Sequence, residues 1–203
     1  MPIVKLVRKA VLPVAGFGTR FLPVTKAVPK ELLPIVDVPA IQINVEECVA
    51  SGIRDLILIT SRGKDALIDY FDRGAELEEL LERKGKHVEL EMIRRLTDLA
   101  HISAIRQAEA RGLGHAVLCA RGLVVDEPFV VLLGDDLVEG DPPASRQLLD
   151  VYAKYGKGVV GLWEVPPGQE HLYGIVDGES VGGGVFRLHH LVEKPEPGQA
   201  PSR

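Results

Sequence analysis

Cysteine is scarce: Cys48 and Cys119 are the two in 203 residues. They form no CxxC pair and each lies in an apolar, helix-like stretch. They therefore read as buried thiols of a reducing cytoplasm, not as a disulfide frame. Positive charge is not in excess either. Lys and Arg number 24 against 29 Asp and Glu, a net charge of −5, which speaks against the basic face that nucleic acid requires. No charged-then-apolar signal opens the chain and no apolar run is long enough to span a bilayer, so no membrane partner is expected. The 6 histidines make no HExxH motif and no His–Cys cluster. His189 and His190 are adjacent, so in a strand they face opposite ways. No serine sits in a GxSxG elbow. A zinc centre and a nucleophilic triad both drop out.

What is present is ordinary globular material: 46% hydrophobic and 26% charged residues, enough for one sizeable domain with a real core. Short Val/Ile/Leu runs at Lys9–Val14, Asp55–Thr60, His87–Ile93, Phe129–Leu133 and Lys157–Val165 read as strands. A helix is predicted from near Pro39 to Gly52, with Ile41, Val45, Cys48 and Val49 on one face. Another runs from Gly114 to Val124 directly into the strand that follows. Apolar strands separated by helices imply a mostly parallel α/β sheet of Rossmann-like type, covered on both faces. Such sheets bind ligands beyond the carboxyl ends of their strands. Glu76–Lys86 spaces Leu77, Leu80 and Leu81 as the packed stripe of a surface helix. After Trp163 the texture changes to short strands and turns, and the tail from Pro195 is polar and proline-rich.

The stretch AGFGTRFLPVTKAVPKELLP, residues 15–34, follows the first strand. Its prolines forbid a regular helix, and its apolar residues argue against a disordered linker. A glycine loop in this place is a natural phosphate cradle, because glycine backbone lets N–H groups approach oxygens closely. It is not GxGxxG, since Phe21 stands where a third glycine would be, and GxxxxGK[ST] is absent. Instead Gly16-Phe17-Gly18-Thr19-Arg20 delivers a guanidinium at once, with Lys26 or Lys30 available as a further charge. A structural turn with solvated cations fits the spacing equally.

Two more features follow apolar strands. Gly134-Asp135-Asp136 places adjacent carboxylates where one could hold a hard divalent cation shared with phosphate oxygens; a simple strand-ending turn is the alternative. Glu193-Lys194-Pro195 adds another cation after Leu191 and Val192. Cations, glycines and a carboxylate pair suit phosphoryl chemistry driven by positioning and charge.

Taken together, AVLPVAGFGTRFLPVTKAVPKELLP (10–34), the run Ile35–Gln42, Tyr70–Arg73, Arg106-Gln107 with Gly112–Leu118, Leu133–Asp136, Tyr173–Val176 and Leu191–Pro195 resemble the sugar-phosphate nucleotidyltransferases. The resemblance is to the bacterial UTP–glucose-1-phosphate uridylyltransferases among them, and its blocks fall in family order along nearly the whole chain. It implies a Mg²⁺-assisted transfer of a uridylyl group from UTP to glucose 1-phosphate, giving UDP-glucose and pyrophosphate. It implies that Ala15, Gly16, Gly18, Thr19 and Arg20 wrap the triphosphate while Lys30 steadies its charge. Gln107 and Gly112 would read the uracil edge, with Glu31 as a further base or ribose contact. Asp135 would ligate the metal with Asp136 beside it. Tyr173, Gly174 and Glu193 would hold the glucose, and Lys194 its phosphate.

On this resemblance residues 1–203 form a single nucleotidyltransferase domain: a nucleotide-binding part at 1–140, the start of a sugar-binding part at 141–195, and a tail at 196–203. The family continues beyond LVEKP with blocks that complete the sugar pocket and bring a second metal-binding aspartate. A C-terminally short member is therefore expected, with an unpaired strand edge that invites homo-oligomerisation. A non-catalytic nucleotide-binding remnant, or a thymidylyltransferase, is the alternative function.

Overall fold

In β1 (Lys9–Pro13) alternate side chains go to opposite faces. Ala10 and Leu12 enter one buried cluster with Leu56, Leu58, Val45 and Cys48, whereas Val11 enters another with Ile57, Ile59, Ala116 and Ala120. A strand apolar on both faces must be covered on both, and helices supply the cover. The computed structural model describes residues 4–203; the first three residues of the 1–140 part lie outside them.

After β1 the chain runs through three 3-10 turns, Thr19–Phe21, Val24–Lys26 and Lys30–Leu32. The proline-rich stretch is thus ordered without an α-helix. The two-residue strands β2 (Pro34–Ile35) and β3 (Val38–Pro39) pair antiparallel and lead into α1 (Ala40–Ala50). That helix buries Ile41, Asn44, Val45 and Cys48, close to the stripe its sequence predicts. Then come β4 (Asp55–Thr60), α2 (Ala66–Asp69), α3 (Ala75–Arg83) and α4 (His87–Thr97). Next are β5 (His101–Arg106), α5 (Leu113–Cys119), α6 (Arg121–Val124), β6 (Phe129–Val131) and α7 (Ala144–Tyr155). Gly156, in left-handed conformation, ends α7 by donating its N–H to the Tyr152 carbonyl at 2.7 Å.

The central sheet has the order β5-β4-β1-β6 and every pairing in it is parallel. The α/β expectation holds. Two strand expectations do not. His87–Ile93 opens α4 instead of forming a strand. Val88, Leu90 and Met92 alternate, but Val88 and Met92 are exposed, and the inward positions are Leu90, Ile93 and Leu96, the helical period. The strand lies further on, at β5, where His, Ser and Arg among two isoleucines hide the pattern of an edge strand. Lys157–Val165 is rich in β-branched residues yet joins no ladder among the described residues; without a partner such a run does not become a strand.

The chain divides into two compact units, Met1–Gly156 and Lys157–Arg203. The second is built on the antiparallel hairpin of β7 (Gly174–Gly182) and β8 (Val185–Glu193), whose register shifts twice along its length. Among the described residues no helix is long and apolar enough to cross a membrane.

Candidate active site

All four central strands deliver polar residues from their carboxyl ends. Beyond β1 lies the glycine loop, beyond β4 Ser61 and Lys64, beyond β5 Gln107, and beyond β6 Gly134 and Asp135. Side-chain contacts tie these segments into one structure.

The loop begins where the Val14 N–H donates to the Ile59 carbonyl at 2.9 Å. Ser61 Oγ donates to the Ala15 carbonyl at 3.0 Å, and Thr25 Oγ1 to the Gly18 carbonyl at 2.8 Å. Gly18 has φ +65°, and a Cβ there would stand 2.9 Å from Lys30 Cβ. Backbone conformation and space both demand glycine. That close approach lays the start of the loop against Lys30. Gly16, Thr19 and Arg20 remain exposed.

Lys30 Nζ lies 2.7 Å from Asp135 Oδ2. Residues 105 apart in sequence thus meet in an ion pair at the carboxyl edge of the sheet. The hydrogen bond from Lys30 holds the Asp135 carboxyl below the usual carboxylate range, and the charge of Arg20 adds to the effect. Arg20, Lys30 and Asp135 therefore form one electrostatic group. Asp136 stands exposed beside Asp135, its N–H on the Leu133 carbonyl at 3.2 Å. Lys26, the other loop lysine, is exposed and takes no part in this group.

Beneath it is a buried pair that sequence reasoning missed. Lys64, 7% exposed, donates to Glu31 Oε2 at 2.8 Å and to the Val14 carbonyl. Burial pulls the Lys64 ammonium below its ordinary pKa, while Glu31 pulls it back up. Glu31 is 1% exposed, so its carboxylate faces Lys64 and the interior, not the open site where a base or ribose contact is expected from the sequence. Its Oε1 is sealed without a partner. Gly134 closes the roof, where a Cβ would come within 3.2 Å of Glu31 Cγ and 3.3 Å of Val14 Cγ1. The signal was there in Ser61-Arg62-Gly63-Lys64, a lysine following an apolar strand, as in Glu193-Lys194.

Gln107 is buried where β5 ends, its N–H on the Thr60 carbonyl at 2.8 Å. Its Nε2 lies 3.2 Å from the Gly112 carbonyl and 2.9 Å from His115 Nδ1. Gly112 has φ +85° and ψ −179°, a region open essentially to glycine alone. In the second unit, Tyr173, Gly174, Glu193 and Lys194 gather at one end of the hairpin. Gly174 is opposite Glu193 in register, and a Cβ on it would lie 3.0 Å from Glu193 Oε2. Lys194, with φ +47°, donates its N–H to the Tyr173 carbonyl at 2.9 Å. A non-glycine residue in that conformation is uncommon and draws attention to the site.

A doubly covered parallel sheet with a glycine loop after its first strand and a carboxylate turn at a neighbouring strand end defines an α/β protein of nucleotide-binding type. The Nucleotidyl transferase family model matches residues 9–202. The UTP–glucose-1-phosphate uridylyltransferase YngB of Bacillus subtilis (strain 168) is 56% identical over 198 residues, which are 98% of this chain and 67% of that protein. The chain superimposes on a UTP-bound UGPase from Acinetobacter baumannii with a TM-score of 0.91 at 40% identity, covering 97% of this chain and 71% of the other. A UDP-glucose pyrophosphorylase complexed with UDP-glucose gives a TM-score of 0.84 at 40% identity, covering 97% and 72%. The chain belongs to the nucleotidyl transferase family.

Proposed function

We propose that this chain transfers a uridylyl group from UTP to glucose 1-phosphate, forming UDP-glucose and releasing pyrophosphate. The observation that carries the reading is the meeting of Lys30 and Asp135, one from the glycine loop and one from the carboxylate turn. It supports a single polyphosphate site where the sequence offered two separate features. High identity to a relative named for this reaction supports the choice of substrates.

The chemistry needs no protein base. The sugar phosphate has a second pKa of about 6, so its attacking oxygen is already anionic at neutral pH. That oxygen bonds to the α-phosphorus while the bond from the α-phosphorus to the oxygen leading to the β-phosphorus breaks, and pyrophosphate carries that oxygen away. The barrier is repulsion between anions, which fixed cations relieve. In this reading Ala15, Gly16, Gly18, Thr19 and Arg20 wrap the triphosphate and Lys30 neutralises it. Gln107 and Gly112 read the uracil, and Glu31 supports the nucleotide loop from below through Lys64. Tyr173, Gly174 and Glu193 hold the glucose hydroxyls, and Lys194 grips the sugar phosphate. The nucleotide part is 1–140 and the sugar part begins at 141–195.

Asp135 fits a divalent metal. It is exposed and kept ionised by Lys30, and Asp136 is adjacent. No cluster of three or more His, Cys, Asp or Glu with metal-binding geometry occurs among the described residues. A cation with few protein ligands, completed by water and phosphate, is the pattern of Mg²⁺. Bound there, Mg²⁺ would supply charge neutralisation at the triphosphate oxygens. Homo-oligomerisation and a cytoplasmic location belong to the same reading; the exposed apolar side chains of the edge strand β6, Phe129 and Val131, support the first.

The test is pyrophosphate release from UTP and glucose 1-phosphate with Mg²⁺, with ³¹P NMR to identify UDP-glucose. Turnover with UTP and much less with dTTP is the expected outcome. Binding of UTP without any release would refute the assignment as an enzyme.

A further inference from the structure

Gln107 does not stand free in the site. Its backbone is fixed to the Thr60 carbonyl, and both acceptors around its side chain fall on Nε2. The Gly112 carbonyl can only accept, so the nitrogen of the amide faces it. His115 Nδ1, 2.9 Å from the same nitrogen, must then accept as well. The imidazole so bonded carries its proton on Nε2. Both hydrogens of Gln107 Nε2 are consumed, leaving none for a ligand. Oε1 takes no bond from any described residue. It is also not among the sealed, partnerless oxygens, which are Glu31 Oε1, Asn44 Oδ1 and Ser51 Oγ.

Resting on the nucleotide reading above, the geometry points to His115 as a positioning residue that takes the second hydrogen of Gln107 Nε2 and, together with the Gly112 carbonyl, holds the amide with its oxygen free, so that the site presents an acceptor to the imide N–H of a uracil-type base. Uracil offers N3–H beside a carbonyl: the N3–H pairs with Gln107 Oε1, and the carbonyl with the Gly112 N–H, which donates to no described residue. Cytosine carries a bare N3 in that place and sets one acceptor against another. It meets the same donor and acceptor only by sliding its exocyclic amine one position along. A ribose triphosphate already held by the glycine loop resists that slide. Discrimination of this kind comes from leaving a buried polar group unpaired in the wrong complex.

The experiment measures UTP and CTP affinities by calorimetry with Mg²⁺ on wild type, His115→Leu and His115→Gln, with steady-state kinetics beside it. Leucine removes the acceptor; glutamine restores one through its side-chain oxygen. His115→Leu should lower the UTP-to-CTP preference by about tenfold, while His115→Gln should stay within about twofold of wild type. The kinetic loss should fall on KM and spare kcat, because the base lies away from the reacting phosphorus. The ratio of two affinities on one sample is insensitive to partial loss of folded protein, so a less stable variant still answers. An unchanged preference in His115→Leu would overturn the proposal, as would equal loss in both variants or no UTP preference in wild type. Wild type that prefers UTP but releases no pyrophosphate would refute the transferase reading alone, and the affinity ratios would still decide the role of His115.

Discussion

The two units carry their charged residues in different ways. At the carboxyl edge of the central sheet, Lys30 and Asp135 rest on a floor of buried Lys64 and Glu31, roofed by Gly134 and braced by Ser61 and Thr25. At the end of the β7–β8 hairpin, Glu193 and Lys194 are both exposed and their charges lie 3.9 Å apart. The hairpin's other ion pair, Arg187 with Glu179 at 3.1 Å, is exposed as well. A two-stranded hairpin has little core of its own, and exposed pairs contribute little. The difference teaches that the sheet edge holds its charges in place through buried polar contacts that cost stability unless satisfied. On the hairpin, position rests on backbone: the register of Gly174 against Glu193 and the left-handed turn at Lys194.

Breaking the floor should give the largest effect. Lys64→Met leaves Glu31 buried without its partner and should cost about 3–5 kcal/mol, whereas Lys64→Met with Glu31→Met should recover most of the loss. Chemical denaturation of both variants checks this, and an equal loss in the two would mean that the pair is not a unit. Gly18→Ala comes next. It forces a side chain into φ +65° and against Lys30 Cβ, at a cost of about 1–3 kcal/mol, and UTP affinity should fall with it.

A third effect appears only in alkali. Burial, with help from Glu47, pushes the Cys48 thiol from 9.0 up to about 12. The native chain therefore keeps a proton that the unfolded chain gives up. This contribution is complete below pH 9.0 and is lost as the pH rises towards about 12. Wild type should lose stability over that window faster than Cys48→Ala does, as thermal melts across the range will show. The smallest effect is expected on the hairpin: Arg187→Ala should change unfolding free energy by no more than about 0.5 kcal/mol. A larger change would mean that the hairpin is held as firmly as the sheet edge.

Much of this was legible in the sequence. The parallel sheet showed in runs such as Asp55–Thr60, where both faces are apolar, and α1 showed in its stripe. The glycine loop and the Gly134-Asp135 turn were visible as separate motifs. Their meeting was not, because spacing along the chain says nothing of a contact across 105 residues. Lys64 escaped for a different reason: a lysine after a strand reads as solvated, and only the fold shows it turned inward onto Glu31. His115 was one helical residue in a Gly-Leu-Gly-His run until Gln107 gave it a partner. The alternation in His87–Ile93 misled because two exposed apolar side chains, Val88 and Met92, imitated a strand face on a helix.

The central claim is that the loop and the carboxylate turn make one site. It is tested most directly by a double-mutant cycle on kcat/KM for pyrophosphate release, using Lys30→Met, Asp135→Asn and the two combined. Each single change should cost about 10²–10³-fold, and if both act on one bound triphosphate the double should be little worse than the poorer single. Effects that simply multiply would contradict it, showing two features that act independently.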